Sequence, residues 1–276
     1  VSKSPRDIRT HVLTERVEAT LSKDENTDAR TVVGVIGGTI TKDANGDTPG
    51  ESPSTPFGDA SASMQNIEIG HTTVLYMARH GHGHSIAPHD INYRANLWAF
   101  SETSVSAIVA MYAVGAIKED FAVGDIVIPD QIIDYTWGRA GSFGEILGLN
   151  HFDFSEPFTP FVRHQLQLSG QESSRPVHTE GTYGCTQGPR LETSAEIERL
   201  RKDGCDLVGM TAMPEAALAR ELSIPFGGIC LVVNAAAGRG DGPIQNRKIR
   251  LAIDRDSPNL LDIVGRSIEG LENGIG

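Results

Sequence analysis

Glu192 and Asn234 are the two side chains whose types and settings suggest the most specific chemistry. Glu192 follows Gly188-Pro189-Arg190-Leu191 where a strand gives way to a helical segment, and Asn234 closes the apolar run 225–233. Taken singly, each has an ordinary explanation: a carboxylate is favoured at a helix start by the macrodipole, and an amide is a common turn former. Taken together they would form a recognition device. A 6-oxopurine carries a hydrogen on N1 and acceptors at O6 and N7, so a carboxylate and an amide facing that edge satisfy all three. Adenine would present an N1 lone pair to the carboxylate, and a buried mismatch of this kind can discriminate by factors of about 10⁴.

A second group has the chemistry of an anion site. Arg79 and His80 directly follow the apolar run 72–78, at the carboxyl edge where open α/β sheets place ligands. Arginine offers phosphate a planar fork, and His80 would add a donor. Gly37-Gly38-Thr39 ends the β-branched run 31–36 and either exposes N–H groups and a hydroxyl to an anion or simply turns the chain. It has neither the G-x-G-x-x-G nor the Walker spacing, so no dinucleotide or NTP phosphate cradle is indicated. Thr211, ahead of a helix opened by Pro214 and Glu215, could hold an anion or serve as an N-cap. His80, His82 and His84 alternate in a Gly-rich stretch, which reads as a solvated loop and not as a metal site.

These residues need elements to position them. Strand patterns cover 31–36, 66–69, 72–78, 107–112, 125–129, 131–134, 177–186, 206–210 and 225–233, with a hairpin turn at Gly70-His71. Helical spacing covers 92–103, 158–168, 194–202, 214–222 and a last helix near 260–271, while 42–59 reads as a long loop. The alternation predicts one α/β domain over 31–276, with a mixed, twisted central sheet flanked by helices, preceded by a polar N-terminal tail at 1–30 without assigned chemistry.

The balance of 24 Lys plus Arg against 36 Asp plus Glu, a formal charge of -12, argues against nucleic acid and anionic membrane surfaces as partners. Cys185, Cys205 and Cys230 are far apart in apolar segments and read as free core thiols of a cytoplasmic protein. The apolar runs 105–117 and 224–238 are interrupted by glycine and short of the ~20 residues that span a bilayer.

The ordered segments GGT (37–39), ARHG (78–81), INYRANLWA (91–99), VGDIV (123–127), TQGPRLET (186–193), VGMTAMPEAALA (208–219) and LVVNAAAG (231–238) together resemble the trimeric purine nucleoside phosphorylase and methylthioadenosine phosphorylase family. The resemblance runs over roughly 31–255. DYTWGR (134–139) and MPEAALAREL (213–222) make it greatest to the branch that acts on S-methyl-5′-thioinosine. In the adenine-specific branch a small hydroxyl residue stands at the position of Glu192, and an aspartate at the position of Ala236.

The resemblance implies a homotrimer that phosphorolyses a 6-oxopurine nucleoside, with phosphate as co-substrate and no metal or organic cofactor. Methylthioinosine would yield hypoxanthine and 5-methylthioribose 1-phosphate. Thr39, Arg79, His80, Thr211 and the backbone of Ala113 would hold phosphate, while Glu192 and Asn234 would make the catalytic contacts to the base. Leu191 and Met210 would pack on base and ribose. At the 5′ end, Ile249 would form an apolar wall and His151, in NHFDFSEPF, would come from a neighbouring subunit; Asn246 stands where an apolar residue is usual. Ile40, Tyr112 and Ala116 depart from the family pattern near the phosphate, and bulky Tyr112 is expected to crowd it. Two alternatives remain open: an inosine/guanosine phosphorylase, and a nucleoside-binding homologue impaired in catalysis.

Overall fold

Short β-branched runs separated by Gly, Pro and Asp turns build the sheet, and longer periodic segments cover it. In the computed structural model, which describes residues 31–41 and 50–272, the strands are β1 (Val32–Gly37), β2 (Ser54–Thr55), β3 (Gly58–Asp59), β4 (Met64–Ile69), β5 (Thr72–Ala78), β6 (Ala107–Ala116), β7 (Ile126–Val127), β8 (Gln131–Asp134), β9 (Val177–His178), β10 (Thr182–Cys185), β11 (Leu207–Gly209) and β12 (Phe226–Ala235). The helices are α1 (Tyr93–Ser101), α2 (Gly144–Leu147), α3 (Pro160–Gly170), α4 (Ser194–Lys202), α5 (Ala212–Glu221) and α6 (Asn246–Glu272). The proposed tail at 1–30 and the first part of the long loop, 42–49, lie outside the described residues.

All strands except the β2–β3 pair join one mixed sheet, ordered β4-β5-β1-β6-β11-β10-β8, with β12 on β6 and β7, and β9 on β7. The long β6 is its axis. One edge pairs with parallel β12 over nearly its whole length. The other edge is shared: parallel β1 takes residues 107–110, and antiparallel β11 takes 115 and 116.

Side chains alternate across this axis. Ile108, Ala110, Tyr112, Val114 and Ala116 face a core that contains Trp98, Phe100, Phe143 and Phe226, whereas Ala107, Val109 and Met111 face one built with α6 through Ile253, Leu260, Ile263 and Leu271. Apolar residues on both faces of a central strand require cover on both sides. The result is the expected single α/β domain with helices flanking a mixed sheet.

Several elements differ from expectation: the β2–β3 pair lies within the loop expected at 42–59, and β6 runs past 112 to Ala116. The last helix begins at Asn246 and not near 260; Pro258 and buried Asp256, both inside it, break the apolar stripe on which the later start was read. Asp256 is accommodated by ion pairs with Arg175 and Arg255. The segment 177–186 is two strands: β9 pairs with β7 and β10 with β8 and β11, the break falling where Gly181 N–H donates to Asp130 Oδ1 at 2.7 Å. The one-turn α2 carried too little periodicity to be read.

Candidate active site

The shared edge of β6 leaves residues 111–114 without a strand partner between β1 and β11. β1 and β5 run with β6 and β11 runs against it, so their carboxyl ends converge on this gap. A cavity of about 330 Å³ opens there, of a size that suits a small ligand. It is bordered by Thr39 after β1, Arg79 and His80 after β5, Thr211 after β11, and Asn234 at the end of β12. Five sequence candidates from four distant segments thus meet in one place.

Backbone direction in the gap follows from strand alternation. Ile108 N–H and Ala116 C=O are bonded on the β12 side of β6, whereas Met111 C=O accepts from Arg79 Nη1 at 3.1 Å on the open side. Successive residues point their backbone polar groups to opposite edges, so Ala113 turns its N–H to the open side as well. Ala113 also borders the cavity.

Arg79 is 1% exposed and its partner Glu215 is 0% exposed. Nε donates to Glu215 Oε1 at 2.5 Å and Nη2 to Oε2 at 3.0 Å, a bidentate pairing that uses the planar fork. Burial opposes the guanidinium charge, but the adjoining carboxylate outweighs it and holds the Arg79 pKa above its ordinary value. With Met111 C=O also bound, three of its five N–H groups are engaged, and one hydrogen on each terminal nitrogen is left over. A Cβ at Gly38 would come within 2.9 Å of Arg79 Nη1 and 3.3 Å of His80 Cδ2, so glycine is what lets this turn approach both side chains.

Tyr112 borders the cavity but does not fill it. Its ring is buried, and its hydroxyl donates to Glu215 Oε2 at 3.1 Å, with the Arg79 guanidinium 4.9 Å above the ring. The expected crowding is replaced by a third member of the Arg79–Glu215 network. Ile40 and Ala116 are buried in the cores and border no part of the cavity.

His80 corrects a chemical expectation. Its Nδ1 lies 2.8 Å from the Ile86 carbonyl, which can only accept, so Nδ1 carries the proton. Burial, followed by the Arg79 charge, lowers its pKa to about 3. Near neutrality Nε2 is therefore a bare acceptor and not the donor foreseen. The His84 ring packs 4.2 Å from it and His82 is exposed. Among the described residues, no group of three or more His, Cys, Asp or Glu is placed to hold a metal ion. Thr211 does occupy the N-cap position of α5, but its side chain makes no capping bond, which leaves the hydroxyl beside the cavity.

Across the cavity, Glu192 is half-buried, and the Thr186 hydroxyl donates to its Oε1 at 2.7 Å. The motif TQGPRLET thus holds its own carboxylate, and its last Thr193 starts α4 with a capping box to Glu196. Asn234 reaches the site through a β-bulge: the pairing steps from Val232 with Val114 to Asn234 with Gly115. Its Nδ2 donates to the Ala235 carbonyl at 2.8 Å, and a Cβ at Gly115 would come within 3.2 Å of that nitrogen. Leu191 and Met210 border the same cavity, with Met210 packed against Gly188, whose φ of 63° suits glycine. Ile249 and Asn246 border its outer end from the start of α6. His151 is exposed on the loop between α2 and α3 and borders no part of the cavity within a single chain.

Glu215, Thr186 and Arg139 had no assigned role in the sequence. An arginine at the end of an apolar strand needs a carboxylate, and Glu215 within the apolar AMPEAALA segment was the available signal. The thiols offer no nucleophile: all three are free and buried, and burial pushes Cys185 up to about 12.

Residues 29–269 match the Phosphorylase superfamily. The chain is 42% identical over 220 residues to the probable S-methyl-5′-thioinosine phosphorylase of Xanthomonas campestris pv. campestris, covering 78% of this chain and 88% of that protein. It is 40% identical over 221 residues to the 6-oxopurine nucleoside phosphorylase of Pyrococcus furiosus, covering 78% and 83%. Among solved structures, methylthioadenosine phosphorylase from Schistosoma mansoni in complex with adenine superposes with a TM-score of 0.81 at 28% identity, over 87% of this chain and 91% of that one. With the match spanning nearly all described residues, and relatives aligned over most of their own length, the chain belongs to the Phosphorylase superfamily.

Proposed function

We propose that this protein phosphorolyses a 6-oxopurine nucleoside, S-methyl-5′-thioinosine in particular, to hypoxanthine and 5-methylthioribose 1-phosphate. The observation that carries the reading is the placement of Glu192 and Asn234 on one cavity with Arg79, His80 and Thr211. The names of relatives at 42% and 40% identity support the same substrate class.

Phosphate is held by the spare Arg79 hydrogens, the Thr39 and Thr211 hydroxyls and the Ala113 N–H. A hydrogen phosphate dianion has one P–O–H, which donates to His80 Nε2. An unprotonated oxygen of the dianion attacks C1′ from the face opposite the base, while the glycosidic bond breaks through an oxocarbenium-like state; the bonding pair leaves with the base, which takes a proton from water to become hypoxanthine. Asn234 donates to the N7 and O6 side as the base gains negative charge, and Glu192 accepts the N1 hydrogen. These contacts accelerate the step to the extent that they strengthen in the transition state. No covalent enzyme intermediate and no bound cofactor is required.

The active form is a homotrimer in which the partner subunit's His151 closes the 5′ end of the nucleoside. Trp137 and Leu149, 73% and 87% exposed, supply apolar surface for that contact. A cytoplasmic location suits the free thiols, and no helix among the described residues is long and apolar enough to cross a membrane. Asn246 at the outer end favours a second reading, an inosine/guanosine phosphorylase.

The test is release of free base from methylthioinosine, inosine and methylthioadenosine, each with and without phosphate. Phosphate-dependent hypoxanthine release, fastest from methylthioinosine, is expected. Faster cleavage of inosine selects the second reading, and no phosphate-dependent release from any of the three leaves a binding protein. Light scattering should give three chain masses.

A further inference from the structure

Arg139 ends the DYTWGR motif and takes no part in the proposed reaction, yet it binds the main chain of both turns that carry the site. Nη1 donates to the carbonyls of Met210 at 2.8 Å and Met213 at 2.5 Å. Nη2 donates to Gln187 C=O at 2.9 Å and lies 3.4 Å from Thr186 C=O. We infer that Arg139 is the positioning residue that locks the purine-reading turn to the turn bearing Met210 and Thr211, so that base reading and anion placement are set together. The functional half of this inference rests on the reading of the site given above.

The need for such a lock follows from where the sheet stops. The β10–β11 ladder ends at Cys185 with Gly209, followed by one more bond from Thr186 N–H to Gly209 C=O at 2.8 Å. Beyond that point the two chains diverge into separate turns. The guanidinium fills the space between them as a planar donor to the carbonyls of both, with the Cys185 thiol as a second, weaker donor to Met213 C=O. The Thr186 whose backbone lies against Arg139 also aims Glu192 through its hydroxyl.

Arg139 is itself held from several sides. Its guanidinium carbon lies 5.1 Å over the Tyr93 ring, and Nη1 is 3.1 Å from the Tyr93 hydroxyl. That hydroxyl donates to Pro88 C=O at 2.7 Å, so its oxygen can share an Nη1 hydrogen with one of the two methionine carbonyls. The loop that delivers Arg139 is tied to the end of β10 and the first of these turns by Tyr135 N–H to Cys185 C=O at 2.8 Å and Trp137 N–H to Gln187 Oε1 at 3.1 Å. A lysine could offer only one nitrogen with three hydrogens on a flexible stem, too few to bond all four carbonyls singly.

The experiment compares R139K and R139M with the wild type in the full chain. The selectivity ratio is kcat/KM for methylthioinosine over that for methylthioadenosine. It should fall about tenfold in R139M, with a concurrent rise in KM for phosphate, and fall less in R139K; small displacements of a positioned group have effects of this order or larger. Hydrogen exchange should quicken together at 186–192 and 210–213 and stay unchanged in β1 and β6. A purely stabilising arginine would lower the melting temperature and reduce both substrates alike. That result, or faster exchange confined to one turn or spread over the whole sheet, overturns the inference. Should R139M not fold, R139K carries both measurements. If the wild type cleaves no nucleoside, the functional reading fails, and the exchange pattern alone decides whether Arg139 joins the two turns.

Discussion

Around the anion half of the cavity, Arg79 and Glu215 are sealed from solvent and bonded to each other, whereas Glu192 and Asn234 on the purine half are half-exposed. The anion half is a prebuilt network: guanidinium, carboxylate and the Tyr112 hydroxyl have partners before any ligand arrives. The purine half is held by one local contact per side chain, Thr186 to Glu192 and Asn234 to its neighbouring carbonyl. Stability is therefore concentrated on one side and, under the proposed function, base selectivity on the other. In a fully buried charge pair, losing one partner strands the other. In a half-exposed group, the remaining hydrogen-bond capacity is available to a ligand.

The comparison is most directly broken at Glu215. E215Q keeps the shape but leaves the Arg79 charge unpaired, and should cost about 3–5 kcal/mol of stability. Denaturant unfolding measures this, and a variant as stable as the wild type would show that the pair does not organise the anion half. On the purine half, N234D should move the preference between inosine-type and adenosine-type substrates about tenfold or more towards 6-aminopurines. Its stability should change by no more than about 0.5 kcal/mol. Unchanged relative rates would remove Asn234 from base recognition.

A smaller effect is expected at Tyr112. Y112F removes one donor from a carboxylate that Arg79 still satisfies, so a loss of about 1 kcal/mol is expected, with phosphate KM affected more than nucleoside KM. A large loss of both would place Tyr112 in direct contact with substrate.

The smallest effect at neutral pH concerns His80, whose pKa is lowered from 6.5 to about 3 by burial and by Arg79. Well above pH 6.5 the ring is neutral in both folded and unfolded chains and contributes no slope. As pH falls from 6.5 towards 3 the unfolded chain takes up a proton that the folded chain resists, so stability declines through that window. H80Q should show a shallower decline in pH-dependent unfolding, and an identical slope would mean that the folded ring protonates normally.

Elements with strong local signals were legible in the sequence. α4 carries its own capping box and helical spacing, and the β4–β5 hairpin turns at Gly70 with φ 57°. The start of α6 was not legible, because a buried aspartate with arginine partners looks, in a linear pattern, like a polar interruption. The candidates at strand ends, from Thr39 to Asn234, were found because a polar residue after an apolar run is a local feature.

The sequence by itself determined which chemical groups stand at the ends of the strands and which purine edge they can match, since side-chain type and strand pattern are written residue by residue. Tertiary structure decided how those groups are spent. Glu215 meets Arg79 across 136 residues, Tyr112 turns its hydroxyl to that pair, and His80 gives its proton to Ile86 C=O. Arg139 reaches turns 47 to 74 residues away. Such pairings depend on strand order and on where the β6 edge is left open, and neither is encoded in any local stretch of chain.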